Sequence, residues 1–358
     1  MTQQELTLLN LGQNLDNLIN LDPRGYGVCR ILYEAAREYT GEPLTTNAAK
    51  QLVKTVKEGD LVYIITGFVL LPFKKAETDG IIGSMLFARA LVKALNAKPV
   101  IICPEENLVA VKNLAYDMGL HLFDNIDELL EYPISMAVIP FTKDSEKAEE
   151  QADNLMAKYL PKAVVSIEAP GANALGVYHN ATGLALTELQ AKSDILFEKL
   201  RAAGVLNIAI GDLGNEIGMG TISAQLEKYV PYARAGACRC SCKGGIAAKS
   251  VTDHIITATV SDWGAYGLIA AIAYLTENLD AMHMPELEKQ AMQTAARSGM
   301  IDMYGWLIPA IDGFGEEINI NIVSLMRECI KYPPKLKQVT ATWFEKVLEL
   351  DFFGQNDI

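Results

Sequence analysis

The sequence predicts an α/β fold: a doubly wound, mainly parallel sheet of about six strands with helices on both faces. Short apolar runs alternate with helical patterns between residues 61 and 261, which is the order of elements in a parallel sheet. The runs are continuously apolar rather than alternating, as expected for strands that helices cover on both sides. Polar residues flanked by glycine follow several runs, at the edge where open α/β sheets bind ligands.

The region before the first strand is predicted to be helical. Apolar residues between Leu9 and Leu21 form one stripe, which a turn at residues 22–25 ends. Two more helical patterns cover residues 28–39 and 46–58. We expect residues 1–58 to form an N-terminal helical arm packed on an α/β domain of residues 59–358, and a single domain is the alternative.

Six strands and the helices between them follow in order. The predicted strands cover residues 61–66, 99–103, 135–140, 163–167, 205–210 and 255–261. The predicted helices between them cover residues 80–95, 108–118, 145–159 and 187–203. C-terminal helical patterns cover residues 263–277, 284–298, 316–331 and about 337–350. The simplest architecture is therefore an α/β unit with N-terminal and C-terminal helical additions.

Charge and composition narrow the class of partner. The 358 residues carry 44 acidic and 31 basic side chains, a formal net charge of −13. This charge opposes binding to nucleic acid and to anionic membranes. The amino terminus does not resemble a signal peptide, and the longest apolar runs are too short to span a bilayer. We therefore expect a cytoplasmic protein that binds a small molecule, and exposed apolar faces on the C-terminal helices would favour a homodimer.

The segment at residues 211–220, GDLGNEIGMG, is the strongest indication of a ligand site. It follows an apolar run and holds four glycines in ten positions, which is typical of a backbone that turns tightly or lies close against another group. The carboxylates of Asp212 and Glu216 and the amide of Asn215 lie in the same bend. A ligand site is the favoured interpretation, and a strand-to-helix turn capped by Asp212 or Asn215 is the alternative.

Similar polar segments follow other predicted strands. The first strand is followed by Gly67 and, after a long loop, by ETDG at residues 77–80. The fourth is followed by EAPGAN at residues 168–173 and then by His179, and the sixth by SDWGAYG at residues 261–267. Because the carboxyl ends of parallel strands meet at one edge of the sheet, we expect these segments to converge.

Four of these segments together resemble the glutamate cyclase-like family. They are ETDG at residues 77–80, IEAPGAN at 167–173, GDLGNEIGMG at 211–220 and VSDWGAYG at 260–267. The resemblance extends from about residue 15 to about residue 280. The chain departs from the family pattern at Leu213, where the family has Gly, and at Asp262, where it has Asn.

The resemblance implies a lyase that cyclises D-glutamate to 5-oxo-D-proline with loss of water. The substrate ammonium must lose a proton before its nitrogen attacks, so the reaction needs a base. The γ-carboxylate is a poor electrophile, which a bound cation would neutralise. The implied catalytic residues are Asp79, His179, Asp212 and Glu216. The implied cofactor is a divalent metal, Mg²⁺ or Mn²⁺, with Glu77, Asp79, Asp212 and Glu216 as oxygen ligands.

The same loops supply the implied substrate-binding residues. These are Gly67, Thr78, Gly80, Gly171, Asn173, Gly214, Asn215 and Trp263. Backbone N–H groups of residues 211–220 are expected to receive a substrate carboxylate at a helix start. The cations that could pair with a carboxylate are Arg24, Lys74, Lys75 and Lys243.

Structural roles remain alternatives for these residues. Glu77 and Asp79 precede a predicted helix, where acidic residues are favoured by capping and by the helix dipole. His179 could bond only loop backbone, and Trp263 opens an apolar helix where a core position is equally expected. Each residue is therefore a candidate until its contacts are known.

Missing motifs exclude several other functions. The chain has no G-x-G-x-x-G after a strand, no G-x-x-x-x-G-K-[ST] phosphate loop and no G-x-S-x-G nucleophile elbow. We therefore expect no nucleotide cofactor. The alternatives to a cyclase are another metal-assisted enzyme that acts on a small amino or hydroxy acid, and a non-catalytic module that binds a small carboxylate.

Three of the cysteines lie close together in the sequence. The six cysteines occupy positions 29, 103, 238, 240, 242 and 329. The isolated ones argue against a disulfide framework. The C-x-C-x-C segment could bind zinc or a metal cluster, but it lacks the two-residue spacing that is usual in structural zinc sites. No fourth ligand is obvious in the sequence, although Asp253 or His254 could reach. We interpret these residues as reduced thiols near the site rather than as a metal centre.

Overall fold

A computed structural model describes residues 1–336 and 341–355. Its helices are α1 (Gln3–Ile19), α2 (Val28–Thr40), α3 (Leu44–Thr55), α4 (Ile81–Leu95), α5 (Leu108–Met118), α6 (Ile126–Glu131), α7 (Ser145–Lys158), α8 (Ser193–Ala202), α9 (Ser223–Tyr229), α10 (Ser261–Leu275), α11 (Pro285–Arg297), α12 (Glu316–Leu336), α13 (Ala341–Glu349) and α14 (Phe352–Gln355). Its strands are β1 (Leu61–Thr66), β2 (Val69–Leu70), β3 (Lys75–Ala76), β4 (Lys98–Cys103), β5 (His121–Phe123), β6 (Ser135–Pro140), β7 (Ala163–Ile167), β8 (Leu206–Gly211), β9 (His254–Thr257), β10 (Ala310–Ile311) and β11 (Phe314–Gly315).

The main sheet confirms the predicted fold class. Over the described residues it contains seven parallel strands in the order β5-β6-β4-β1-β7-β8-β9. The additional strand is β5, whose three residues are too few to produce a recognisable apolar run. On β1, Ile64 pairs with Ile101 of β4 on one side and with Val165 of β7 on the other. The strand order reverses between β1 and β7, and open α/β sheets bind their ligands at such a reversal.

The strands are continuously apolar because hydrophobic cores cover both faces of the sheet. Along β1, Val62 and Ile64 join the core that also contains residues of α4 and α10. Tyr63 and Ile65 point to the opposite core, where Phe197 of α8 is fully buried. Successive residues of a strand point to opposite faces, so the apolar residues of β1 contribute to both cores.

The N-terminal helices pack against α10, the helix that begins at the candidate site. Asp16 of α1 accepts hydrogen bonds from the backbone N–H groups of Leu44 (2.7 Å) and Thr45 (3.1 Å), and thereby caps α3. A Cβ atom at Gly267 of α10 would lie 2.8 Å from the side chains of both Ile19 and Thr45. The close approach of these helices therefore requires glycine at this position.

Some element boundaries differ from the prediction. The strand predicted at residues 255–261 ends at Thr257. The backbone N–H of Ala258 donates one more hydrogen bond to the carbonyl oxygen of Gly211 (3.2 Å), and α10 starts at Ser261. Residues 187–189 form a short 3-10 helix, and α8 starts only at Ser193. The last predicted helix is described from Ala341 to Glu349, and residues 337–340 lie outside the described residues.

Among the described residues, no helix combines the length and the apolar composition needed to cross a membrane.

Candidate active site

A cavity of about 140 Å³ lies beside the carboxyl ends of β1, β7 and β8, where the strand order reverses. Among the described residues that line it, six are acidic and none is lysine or arginine. The acidic residues are Glu77, Asp79, Glu168, Asp212, Glu216 and Asp312. The volume is well below the ~300–1,000 Å³ of pockets for drug-sized ligands. The cavity therefore suits a small molecule with positive charge, or a small anion accompanied by a cation.

Three of these carboxylates form a compact group. Asp79, Glu168 and Asp212 each place one carboxylate oxygen within 4.8 Å of the other two. They follow β1, β7 and β8, so the sheet topology brings them together although they are far apart in sequence. Glu168 has a backbone φ of 44°, in the left-handed region that non-glycine residues rarely occupy. This conformation lies at the turn where the chain leaves β7 for the cavity.

The predicted metal ligands divide into two sets. Asp79 and Asp212 lie in the compact group, whereas Glu77 and Glu216 line the same cavity outside it. Glu168 takes the third position in the group. Glu168 lies in the polar segment at residues 168–173 and is not among the ligands that the sequence predicts.

Asp79 is held at the N-terminus of α10. Its Oδ2 atom accepts a hydrogen bond from the backbone N–H of Ser261 (3.1 Å), and its Oδ1 accepts one from that of Asp262 (2.9 Å). Burial raises the pKa of Asp79 to about 7, and nearby Asp312 adds to this effect, although the backbone N–H groups act in the opposite direction. The carboxyl group of Asp79 therefore changes its charge near neutral pH.

Asp262 occupies the matching position at the N-terminus of α4. Its Oδ1 atom accepts hydrogen bonds from the backbone N–H groups of Gly80 (2.9 Å) and Gly83 (2.8 Å). Its Oδ2 atom is buried and has no hydrogen-bond partner among the described residues. Burial, and then the charge of Asp79, raises the pKa of Asp262 well above its ordinary value. The neutral acid presents one acceptor and one donor, as the asparagine of the family pattern does.

Glu216 organises the loop at residues 211–220. Its carboxylate accepts hydrogen bonds from the backbone N–H groups of Asp212 (3.3 Å), Leu213 (2.9 Å) and Gly214 (2.7 Å). The expectation that these N–H groups receive a substrate carboxylate is therefore wrong for residues 212–214, because the protein's own carboxylate binds them. Gly214 has a φ of 99°, and a Cβ atom there would lie 2.4 Å from Leu226.

The remaining carboxyl groups of the cavity favour their protonated forms. Burial, and then the charges of Glu216 and Asp79, raises the pKa of Glu168, whose Oε2 atom accepts a 2.6 Å hydrogen bond from Ser261 Oγ. Burial also raises the pKa of Glu77 and Asp212 well above the ordinary values, and neighbouring carboxylates raise them further. Either bound protons or a bound cation would stabilise such a cluster, because each reduces the repulsion between its carboxylates.

Asp312, which lines the acidic cavity, forms an ion pair with Arg24. Arg24 Nη2 contacts the carboxylate of Asp312, and the guanidinium lies 4.6 Å from the ring centroid of Phe314. Burial raises the pKa of Asp312, and the positive charge of Arg24 reduces that rise. Arg24 therefore pairs with a carboxylate of the protein. The other candidate cations, Lys74, Lys75 and Lys243, are exposed and do not line the cavity.

Asn215 offers a free acceptor to a ligand. Its Nδ2 atom donates a 3.0 Å hydrogen bond to the carbonyl oxygen of His179, which fixes the orientation of the amide. Its Oδ1 atom is buried and has no hydrogen-bond partner among the described residues. Since Asn215 lines the cavity, this oxygen can accept a hydrogen bond from a bound ammonium group.

None of the other seven predicted substrate-binding residues is among the described residues that line the cavity. These seven are Gly67, Thr78, Gly80, Gly171, Asn173, Gly214 and Trp263. Thr78 donates a 2.7 Å hydrogen bond to the carbonyl oxygen of Ala310. Trp263 is fully buried, and its Nε1 atom donates a 2.7 Å hydrogen bond to Asn319. A Cβ atom at Gly80 would approach that of Glu168 to 2.6 Å, so this glycine allows the loops to meet.

The imidazole of His179 faces a different group of side chains. Its Nε2 atom lies 3.2 Å from Cys240 Sγ and 3.5 Å from Cys242 Sγ, and the side chain does not line the cavity. Burial lowers the pKa of His179. The ring of His179 therefore contacts the cysteines, and its carbonyl oxygen accepts the hydrogen bond from Asn215.

Two members of the site had weak signals in the sequence. Asp312 comes from a short hairpin, β10–β11, that is distant in sequence from the strands of the main sheet. Glu168 directly follows a predicted strand, and its position at the sheet edge was the available signal.

Comparisons with known proteins identify the family. The family described as "D-glutamate cyclase-like, C-terminal" matches residues 15–327. The mitochondrial D-glutamate cyclase of Homo sapiens is 25% identical over 272 residues, which cover 74% of this chain and 39% of that protein. The chain thus spans less than half the length of that relative. Because the family match covers most of the chain, this protein belongs to the D-glutamate cyclase-like family, in the part that forms the C-terminal region of its larger members.

Proposed function

We propose that this protein is a lyase that cyclises D-glutamate to 5-oxo-D-proline and releases water. The observation that carries the proposal is the buried group of Asp79, Glu168 and Asp212 beside a small cavity. Membership of the family, and the name of the human relative, support D-glutamate as the substrate.

The carboxylate group fits a divalent cation. Its oxygens lie within 4.8 Å of one another and are buried, and no lysine or arginine is among the described residues that line the cavity. Hard oxygen ligands of this kind suit Mg²⁺ or Mn²⁺. We propose Asp79, Glu168 and Asp212 as the ligands. When bound, the ion would neutralise the substrate γ-carboxylate and stabilise negative charge on its oxygen.

The protein's own groups bind the amino end of the substrate and move its protons. Asn215 Oδ1 accepts a hydrogen bond from the substrate ammonium, which the acidic lining also attracts. The ionised form of Glu77 accepts a proton from that ammonium, because its carboxylate lines the cavity outside the metal group and the pKa that burial raises makes it a stronger base. Glu216 acts as a positioning residue by holding the loop of Asp212. His179 is not assigned a proton-transfer role, because its ring faces the cysteines.

The reaction balances without another reactant. The amine nitrogen forms a bond to the carbon atom of the γ-carboxylate, and one C–O bond of that carboxylate breaks. The departing oxygen leaves as water, and both of its protons come from the substrate ammonium. Glu77 carries one of them to the departing oxygen and ends in its starting state.

The test is formation of 5-oxoproline from D- and L-glutamate with and without Mn²⁺ or Mg²⁺. We expect turnover of the D-isomer, and a decrease of about 10²-fold or more in kcat for Asp212→Asn and for Glu77→Gln. Asp124→Asn is the matched control, because Asp124 is exposed and does not line the cavity. If the folded protein binds D-glutamate but forms no product, it is a binding module and the proposed lyase activity is wrong.

A further inference from the structure

A second cluster of metal-ligating side chains lies outside the acidic cavity. Cys238, Cys240 and Cys242 gather around the ring of His179, and one ligating atom from each residue lies within 4.8 Å of the other three. Cys238 and His179 are buried, and Cys240 and Cys242 are half-buried. All three cysteines are free thiols.

Five of the six distances between the ligating atoms are close to the edges of a tetrahedron around zinc. With Zn–S bonds of about 2.3 Å and a Zn–N bond of about 2.0 Å, tetrahedral geometry places two sulfur atoms about 3.8 Å apart and sulfur about 3.5 Å from nitrogen. The Sγ atoms of Cys238, Cys240 and Cys242 are separated by 3.7, 3.8 and 3.2 Å. His179 Nε2 lies 3.2 and 3.5 Å from the sulfur atoms of Cys240 and Cys242. From this geometry we propose that His179, Cys238, Cys240 and Cys242 bind one zinc ion.

The fold supplies the fourth ligand that the sequence did not reveal. Asp253 and His254, the candidates suggested by proximity in sequence, are engaged elsewhere: Asp253 with Arg201 at 3.3 Å, and His254 Nδ1 with Asn47 at 2.7 Å. His179 instead arrives from the long connection between β7 and α8. The interpretation of the cysteines as thiols without a metal is replaced by this proposal.

The groups around the cysteines are those that support thiolate ligands. The backbone N–H of Gly244 donates a hydrogen bond to Cys242 Sγ (3.2 Å), and Asn173 Nδ2 lies 3.8 Å from the same sulfur. Asn173 also donates a 2.8 Å hydrogen bond to the carbonyl oxygen of Gly245. Hydrogen bonds to a ligand atom fix its position and reduce its negative charge. Asn173, predicted to bind substrate, therefore supports the cysteine turn in this structure.

The site is structural rather than catalytic, and it holds the rim of the acidic cavity. Four protein ligands leave no open position on a tetrahedral zinc ion. His179 immediately precedes residues 180–182, which line the cavity, and its carbonyl oxygen accepts the hydrogen bond from Asn215. The backbone N–H of Arg239 also donates a 2.8 Å hydrogen bond to the carbonyl oxygen of Gly183. A bound zinc ion would therefore link residues 238–242 to His179 and restrict the motion of residues 180–182 at the cavity.

The first test is the metal content of the purified full chain by mass spectrometry. We expect about one zinc per chain, released when a mercurial reagent modifies the thiols. Replacement by Co²⁺ should give the sulfur-to-cobalt charge-transfer bands of a tetrahedral thiolate site. A folded, reduced protein that contains no zinc and gives no such bands would overturn the proposal, as would iron or a Cys238–Cys242 disulfide in place of zinc.

Variants assign the metal to these residues. Cys240→Ser and His179→Ala should lose the zinc, whereas the controls Cys329→Ser and His121→Ala, which lie outside the cluster, should retain it. Asp212→Asn should also retain it, because the carboxylate group is a separate site. Retention of zinc by both Cys240→Ser and His179→Ala would contradict the assignment, and the measurements on the unmodified chain remain decisive if either variant does not fold.

Discussion

Asp79 and Asp262 cap each other's helices. Asp79 accepts hydrogen bonds from the backbone N–H groups of Ser261 and Asp262 at the start of α10, and Asp262 accepts them from Gly80 and Gly83 at the start of α4. The exchange joins two helices from distant parts of the chain at the edge of the sheet. It also fixes the direction from which Asp79 enters the carboxylate group.

The cap predicts different effects for two substitutions of Asp262. Asp262→Ala removes the acceptor of two buried N–H groups and should lower the free energy of unfolding by about 1–2 kcal/mol. Asp262→Asn keeps an oxygen in the same place and should leave the stability near pH 6 almost unchanged. Denaturant titration of the two variants measures the difference. Equal destabilisation by both would show that the N–H acceptor is not what Asp262 contributes.

The raised carboxyl pKa values predict that the protein loses stability as the pH rises. A group with a higher pKa in the folded state binds more protons there, so its contribution to stability is present below the unfolded pKa and is lost as the pH rises through the folded pKa. For Asp79 that range runs from 3.8 to about 7, and Asp262 shifts in the same direction. We expect the Tm to fall between pH 5 and pH 7 without added metal.

Asp262→Asn isolates the carboxyl contribution to this pH dependence. The amide does not titrate, and its loss of charge also lets Asp79 ionise more easily, so the variant's Tm should fall less over the same range. Calorimetry of both proteins at the two pH values makes the comparison. Parallel curves for the protein and the variant would contradict the proposed origin of the effect.

A bound divalent metal should stabilise the folded protein, because it neutralises the carboxylates of the acidic cavity. Mn²⁺ or Mg²⁺ that binds the folded state raises its stability, by about 2.7 kcal/mol at a hundred times the Kd. We expect a concentration-dependent rise of Tm for the protein and for Asp124→Asn, and little or none for Asp212→Asn. The same rise in all three would mean that the ion binds elsewhere.

The ion pair of Arg24 and Asp312 predicts a substitution effect that depends on pH. Arg24→Met leaves Asp312 buried without its cation and should lower the free energy of unfolding by about 3 kcal/mol at pH 8. The loss should be smaller at pH 6, where Asp312 can bind a proton. Arg30→Met, at an exposed position, is the control. A loss that is independent of pH would indicate that Arg24 acts through packing alone.

The sequence predicted the sheet better than it predicted the site. Strands such as β1 and β6 are apolar along most of their length, so their bounds follow from hydrophobicity. β5 has three residues and only partial burial, and it left no comparable signal. The convergence of Asp79 and Asp212 also followed from topology, because parallel strands end at the same edge.

The parts of the site that were missed depend on contacts between distant segments. Glu216 follows the same strand as Asp212, but its carboxylate turns back onto its own loop, and composition alone cannot show this. Asp312 lines the cavity and forms an ion pair with Arg24, which lies near the opposite end of the sequence. His179 was expected to act in catalysis, but the fold of the residues that follow α9 brings three cysteines to its ring.

The most direct measurement of the central claim follows the oxygen that leaves the substrate. The purified chain is incubated with Mn²⁺ and D-glutamate carrying ¹⁸O in both γ-carboxylate oxygens, and the 5-oxoproline formed is analysed by mass and chirality. We predict 5-oxo-D-proline that retains one labelled oxygen, because the other leaves as water. Absence of product from either enantiomer in a folded, metal-supplied sample would contradict the proposed cyclase.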